Sequence, residues 1–215
     1  MPHAHRAGWL RTPLFVSCAL CLSSGASVSS AQQLLDRIVA RVNGYAITLT
    51  DVKSALALGI VAAEGADEQT AVERLIDRQL MLAEVARFAP PEPSAADIDR
   101  RATAIMAGAR APLASMRQST GVDEARIREI AREDLRIEAY LDRRFGTSVQ
   151  LTEDEVERYY RIHPDEFTRA GTLMPFGEAE SLARQHAAAE RRTTTVAQWM
   201  RDLRQRAEIT RPPGR

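Results

Sequence analysis

The sequence predicts a mostly α-helical domain that begins with a small β-hairpin. Two short runs rich in β-branched residues, Ile38–Val42 and 45–49, flank the pair Asn43-Gly44. Such a pair is the strongest short-range hairpin signal, because a type I′ turn needs positive φ at both central positions. After this hairpin the hydrophobic period changes from two to about 3.6, which indicates helices. A lone hairpin is only marginally stable in water, so the two strands need a further packing partner.

Six helices are predicted between the hairpin and residue 163. Thr50 is expected to cap the first, over residues 51–63. The second ends before Pro90-Pro91, because proline removes backbone donors and cannot continue a helix. Ser94 is expected to cap the third, with Asp97 as an imperfect capping box. The second, fourth, fifth and sixth helices are predicted over residues 67–88, 112–119, 123–145 and 152–163.

The C-terminal helix has the clearest amphipathic pattern. Its apolar residues recur at i, i+3, i+4 and i+7, so one face must be buried. We expect this face to close the domain by packing on the N-terminal helices. Residues 178–192, just upstream, are helical in propensity but poor in large apolar residues, and are interpreted as an exposed part of the same helix. The closing residues are Val196, Trp199, Met200 and Leu203.

Residues 1–31 have the features of a cleavable secretory signal peptide. Arg6 and Arg11 precede an apolar core over residues 14–22, and small residues follow up to Ala31. The core is too short to span a bilayer. We therefore expect cleavage after Ala31 and export to the periplasm, with an uncleaved anchor as the alternative.

The composition of the expected mature chain excludes several classes of protein. Without Arg6 and Arg11, 27 of the 29 basic residues remain against 29 acidic ones, a net charge of about −2. This balance does not favour nucleic acid or anionic lipid as a partner. No later apolar run approaches the ~20 residues of a transmembrane helix. Both cysteines lie in the signal segment, so the mature chain must be stabilised by burial of apolar surface rather than by disulfides.

Four segments together resemble the SurA-type periplasmic chaperones. They are "DRIVARVNGYAITLTDV", "ERLIDRQLMLAEVARF", "TEDEVERYYRIHPDEF" and "VAQWMRDLRQRAEI". In that family a helical N-terminal domain begins with a strand pair and is completed by a C-terminal helix and a final short strand. One or two parvulin-type prolyl isomerase domains lie between these parts.

The resemblance implies a mostly α, SurA N-terminal-like domain with a small three-stranded sheet that the C-terminal helix closes. Residues 32–167 would form the body of this domain, and residues 176–211 would complete it. The final strand would lie within residues 208–211, alongside the hairpin. Only residues 168–175 stand where the parvulin insert would be, so they are interpreted as a short linker.

Few residues of the mature chain are suited to catalysis. It has two histidines and no cysteine. His163 lies at a predicted helix end, where a cation favours the dipole, and His186 lies on a polar helix without an expected partner. No spacing typical of a metal site, a phosphate loop or a catalytic nucleophile occurs. We therefore predict no catalytic residue, no cofactor and no metal.

Two groups of side chains are candidates for a peptide-binding groove. Met106, Leu113 and Met116 lie in and before the short fourth helix, and flexible thioethers suit promiscuous apolar contacts. Tyr159 and Tyr160 lie on the sixth helix. Their helical spacing fits core packing equally well, so a structural role is the alternative for both groups.

The predicted function is non-catalytic binding of unfolded or partly folded polypeptides, with outer-membrane proteins as the clients that the resemblance implies. Nascent outer-membrane strands expose alternating apolar residues and unpaired edges, which a helical cradle can cover. One alternative is an accessory subunit that docks a single partner in an export or envelope assembly system. Another is a prolyl isomerase with a degenerate site. The chain is expected to be a monomer or a dimer that exchanges its C-terminal helix.

Overall fold

The computed structural model describes residues 36–60, 67–146 and 150–212, which belong to one compact unit. The expected signal peptide lies outside these ranges. The strands are β1 (Ile38–Val42), β2 (Tyr45–Thr48), β3 (Thr168–Arg169), β4 (Thr172–Leu173) and β5 (Ile209–Thr210). The helices are α1 (Leu49–Leu58), α2 (Glu68–Phe88), α3 (Ala95–Ala107), α4 (Leu113–Thr120), α5 (Glu124–Phe145), α6 (Glu153–Ile162) and α7 (Phe176–Arg206), with a 3-10 turn at Pro164–Phe167.

The N-terminal hairpin is present, and a third strand completes its sheet. Asn43 and Gly44 have φ of 49° and 85°, as a type I′ turn requires. β5 pairs antiparallel with the free side of β1, so the strand order is β2-β1-β5. The amide of Asn43 donates to the carbonyl of Glu208 at 2.9 Å, and the Asn43 side-chain oxygen accepts from the amide of Glu208 at 2.9 Å. The predicted three-stranded sheet, which joins both ends of the domain, is confirmed.

The start of α1 differs from the prediction. Thr48, not Thr50, is the N-cap, and it forms a complete capping box with Asp51. The amide of Asp51 donates to Thr48 Oγ1 at 3.2 Å, and the amide of Thr48 donates to Asp51 Oδ2 at 2.9 Å. Two reciprocal bonds stabilise this start more than the single bond from Thr50 that we expected. The helix also ends early, because Gly59 adopts a left-handed conformation with φ of 70°.

Polar caps fix the starts of four later helices close to the predicted positions. Asp67, Ser94, Asp123 and Thr152 each accept a hydrogen bond from the amide three residues further on. These bonds satisfy amides that have no partner within the helix. Gly121, with φ of 72°, ends α4 one residue beyond the predicted range 112–119.

The described core consists of three apolar clusters. The first lies between the sheet, α1, α2 and the C-terminal halves of α5 and α7. The second lies between the end of α1, α3, α4 and the N-terminal half of α5. The third lies between α6, the 3-10 turn and the N-terminal half of α7. None of the described helices combines the length and the hydrophobicity needed to cross a membrane.

The helix α7 is continuous over 31 residues and packs along both of its halves. The interpretation of residues 178–192 as exposed was wrong for one face, where Ala179, Ala183 and Ala187 are buried. Their small side chains allow close approach of α6, so burial there does not need large apolar residues. Threonines 193 and 195 do not interrupt the helix, and their hydroxyls donate to the carbonyls four residues earlier.

The C-terminal half of α7 packs on the first cluster. Trp199 and Leu203 are buried, and Val196 and Met200 are partly buried against the same cluster. Arg204 strengthens this contact, because its guanidinium donates to Asp77 Oδ1 at 2.5 Å and to α2 residue Glu73 at 2.9 Å.

The segment 168–175 contains more structure than a plain linker. β3 and β4 form a short hairpin whose turn, Ala170-Gly171, has φ of 50° and 79°. The hairpin is held to the third cluster because the amide of Met174 donates to the carbonyl of the fully buried Phe167 at 3.0 Å. Gly171 is the one residue of this turn that is typical of turns, and two-residue strands are too short for a periodic pattern.

Candidate functional site

The candidate site is a cleft of about 630 Å³ with α2 as its floor. The hairpin and α1 form one wall, and α5 forms the other. Helix α2 places both apolar and polar side chains on the floor, and the loop before α5 closes one end. The apolar lining residues are Tyr45, Ile47, Ala55, Ile60, Leu75, Leu82, Ala83, Ala86, Val122 and Ile130.

The apolar floor exists because α2 is apolar on more than one face. Ile76 and Leu80 point into the first cluster and are almost completely buried. Leu75 and Leu82 are only partly buried, and both line the cleft. The sequence showed a broad apolar stripe on this helix. It did not reveal that part of the stripe lines an open cleft, because burial in a core and exposure in a cleft give the same periodicity.

Charged side chains of the α5 wall pair with Arg78 of the α2 floor and with one another. The guanidinium of Arg78 donates to Glu133 Oε2 at 2.9 Å and to the carbonyl of Ile130 at 3.3 Å, and it also pairs with Asp134. Arg126 lies 3.9 Å from the other oxygen of Glu133. This wall therefore presents paired charges to the cleft, and no single excess charge dominates it.

The opposite wall is less polar. Tyr45 lies at the start of β2 and leaves half of its surface exposed. Thr50 and Ser54 of α1 also line this wall, and the Ser54 hydroxyl donates to the carbonyl of Thr50 at 2.7 Å. The wall thus combines an exposed aromatic ring with side chains whose polar groups have partners.

The cleft has the character of a binding surface. Neither histidine nor cysteine occurs among the described residues that line it. Within the described ranges, no group of three or more metal-ligating side chains has the geometry of a metal site. An apolar floor with paired rim charges can cover apolar segments of another molecule, which is a property of polypeptide-binding surfaces.

The first group of predicted groove residues lies in the second cluster, away from this cleft. Met116 is 1% exposed, so it packs inside the cluster and is not on a surface. Met106 and Leu113 pack against the same cluster and are partly buried. Leu113 also lines a separate, open depression of about 990 Å³. Most of the side chains around this depression are polar or charged, so it is less suited to an apolar ligand than the cleft.

The second group, Tyr159 and Tyr160, packs against the third cluster. The hydroxyl of Tyr160 donates to the carbonyl of Met174 at 2.6 Å. The hydroxyl of Tyr159 donates to Glu166 at 3.0 Å, and its ring stacks on His163 with the centroids 4.2 Å apart. The two groups of predicted groove residues therefore belong to different clusters.

The two histidines have partners, contrary to the prediction for His186. Its Nδ1 lies 2.6 Å from Glu166 Oε2, and His163 Nε2 lies 3.4 Å from Glu190. The 3-10 turn causes this arrangement, because it brings Glu166 back over α7. Hydrogen bonding from His186 lowers the pKa of Glu166, whereas burial and the bond to Glu166 raise the pKa of Tyr159 to about 12.

Comparison with known proteins identifies the fold. No protein-family model and no curated protein sequence matches the chain. A solved structure does match, from work that describes the virulence factor PEB4 and the periplasmic protein Cj1289 of Campylobacter jejuni as two structurally related SurA-like chaperones. The TM-score is 0.59 at 10% sequence identity, over 83% of this chain and 100% of the other. The chain therefore has the fold of the SurA-like chaperones.

Proposed function

We propose that this protein is a chaperone that holds unfolded or partly folded polypeptides in the cleft between the hairpin, α2 and α5. The observation that carries the proposal is the partly exposed apolar floor, which includes Leu75 and Leu82. Apolar surface of this kind on a protein marks a site of interaction, because its burial is favourable. The likeness to SurA-like chaperones supports the same class of function.

The physical basis of holding is reversible burial. An unfolded client exposes apolar side chains that otherwise associate with one another, and each fully buried aliphatic side chain contributes about 1.5 to 3 kcal/mol. Two or three such side chains in the cleft give a contact that competes with aggregation but still releases the client. The paired charges of Arg78 and Glu133 leave the floor without a strong preference for charged segments.

The proposed place of action is the periplasm, and the proposed clients are outer-membrane proteins. The signal-like segment 1–31 supports the location, and so does the matching solved structure, which comes from work that names a periplasmic SurA-like chaperone. The function is proposed to be non-catalytic. The likeness to proteins described as SurA-like chaperones supports this part of the proposal.

The test is suppression of aggregation by the purified mature protein. An unfolded outer-membrane β-barrel protein is diluted from denaturant, and light scattering is followed at near-stoichiometric chaperone. The wild-type protein is expected to slow aggregation. The double variant Ala83→Glu, Ala86→Glu is expected to lose most of this effect, because it places two charges on the exposed part of the floor. The control Ala197→Glu adds one charge on an exposed face of α7 and should behave as wild type.

Three results would contradict the proposal. Equal protection by the wild type and the folded double variant would move the site away from the cleft. Failure to hold any of several unfolded clients would favour an accessory subunit with one dedicated partner. A separate proline-peptide assay should give no acceleration of cis–trans isomerisation, and activity above background would favour the isomerase alternative.

A further inference from the structure

The strand β2 is an edge strand of four residues that lacks two of the usual protective features of an edge, charged side chains and proline. The order β2-β1-β5 leaves its outer side without a partner strand among the described residues. Its sequence, Tyr45-Ala46-Ile47-Thr48, contains no charge, no proline and no glycine. Unprotected edges are templates for pairing with another chain, so proteins normally blunt them with charges, proline or bulges.

The opposite edge of the same sheet is protected. β5 has only two residues, Ile209 and Thr210, and Arg211 and Pro212 follow at once. Short length, a charge and a proline are the usual protective features. The contrast within one sheet indicates that β2 is open for a reason specific to its own side.

The open edge of β2 borders the cleft. Tyr45 and Ile47 lie two residues apart, so they share one face of the strand, and both line the cleft. A strand added beside β2 would therefore point every second side chain toward the apolar floor. Because a two-residue turn pairs the amide of Tyr45 with the carbonyl of Val42, the amide and carbonyl of Ala46 face outward.

We propose that a client binds by adding a β-strand to the free edge of β2, with alternate apolar side chains in the cleft. This inference rests on the proposed function and names the chemistry of its ligand: an extended, uncharged polypeptide segment with an apolar residue at every second position. The charges of the cleft favour an uncharged segment, because Arg78 and Arg126 already pair with Glu133 and need no charged partner from the client. Main-chain bonds provide affinity, and side-chain pockets provide selectivity.

The test compares two substitutions at one residue. Ala46→Pro removes the outward amide while proline remains tolerated on an edge strand, and Ala46→Thr keeps the amide. The probe is a fluorescent peptide about ten residues long with alternating valine or leucine and serine or threonine, which exceeds the length of β2. We expect Ala46→Pro to bind it about tenfold more weakly than wild type, as the loss of one main-chain hydrogen bond predicts, and Ala46→Thr to bind within about twofold.

A second measurement keeps the test valid if Ala46→Pro does not fold. Two versions of the peptide carry N-methyl groups on alternate residues, one on the odd and one on the even positions, and both are titrated into the wild-type protein. Strand addition predicts that one version binds at least several-fold more weakly than the other, because only one edge of the peptide faces β2.

The outcomes separate this inference from the proposed function. Equal binding of both methylated peptides, with unchanged binding to a folded Ala46→Pro variant, would overturn strand addition and leave cleft binding intact. No binding of the unmodified peptide would overturn both. If the protein alone is a dimer that Ala46→Pro converts to a monomer, the edge pairs with a second copy and the inference is wrong.

Discussion

Glu155 shows how one side chain stabilises two elements of this fold. It completes the capping box of α6, because its carboxylate accepts from the amide of Thr152 at 2.8 Å. It also pairs with Arg191 of α7. The bond from the Thr152 amide, followed by the bond from Arg191, lowers the pKa of Glu155 to about 2.

Because of this lowered pKa, the stability of the folded protein depends on pH. The folded-state pKa lies below the ordinary glutamate value near 4.3, so the contribution is fully present above about pH 4.3 and is lost as the pH falls toward 2. We expect Glu155→Gln to lower the melting temperature at pH 7. The difference in melting temperature between wild type and this variant should become smaller below pH 3. Thermal melts followed by circular dichroism from pH 7 to pH 2.5 measure this.

A matched control uses a second acid of the same helix. Asp154 also lies in the first turn of α6, and it forms neither a capping box nor a pair with Arg191. Asp154→Asn should therefore lower the melting temperature at pH 7 by less than Glu155→Gln does. If the difference in melting temperature between wild type and Glu155→Gln is the same at all pH values, the lowered pKa of Glu155 is contradicted.

Single capping residues were among the most predictable features of the molecule. Asp67, Ser94 and Asp123 were expected close to the helix starts that they cap. Thr50 was not the cap of α1, because Thr48, two residues earlier, has an acid at the position that completes a capping box. Local hydrogen bonding decides caps, so local sequence predicts them unless two candidates compete.

At the scale of elements, α7 connects the first and third clusters. Its N-terminal half packs by small alanines, and its C-terminal half packs by Trp199 and Leu203. The Trp199 ring lies 5.4 Å from Phe145 and 5.8 Å from Tyr140 of α5, measured between ring centroids. α7 is therefore joined to the main helical body by an aromatic contact as well as by Arg204.

Removal of this ring should destabilise the domain. We expect Trp199→Ala to lower the free energy of unfolding by about 3 to 5 kcal/mol, because a buried aromatic side chain leaves a cavity when it is truncated. Urea denaturation followed by circular dichroism measures the change. Substitution of the exposed neighbour, Gln198→Ala, should change the free energy of unfolding by less than about 0.5 kcal/mol. A Trp199→Ala protein with an unchanged midpoint would mean that the helix is an appendage.

The elements differ in how well the sequence predicts them. Long amphipathic helices such as α2 and α5 have enough residues for periodicity to identify them, and the Asn43-Gly44 pair identifies the first hairpin. The β3–β4 hairpin and the buried face at Ala179 and Ala183 were missed. Both depend on contacts between distant segments, and neither leaves a strong hydrophobic pattern.

At the scale of the whole molecule, the sheet and α7 bring both ends of the described chain to the same body as α2 and α5. This arrangement holds α2 from one side and leaves its other side as the floor of the cleft. The fold class was predictable from the hairpin signal, from the helical period of the apolar residues and from the order of the sequence motifs. The site was not, because residues from β2, α1, α2 and α5 form it only after the helices have packed.

The central claim is that unfolded polypeptide binds in this cleft. A photo-reactive amino acid at Gln79, which lines the cleft, tests it directly when the protein is irradiated with an unfolded outer-membrane β-barrel protein. The same group at Ala197, on an exposed face of α7, is the control. The account predicts cross-links from position 79 and few from position 197, with competition by the alternating peptide. Equal cross-linking from both positions, or cross-links from position 197 alone, would contradict it.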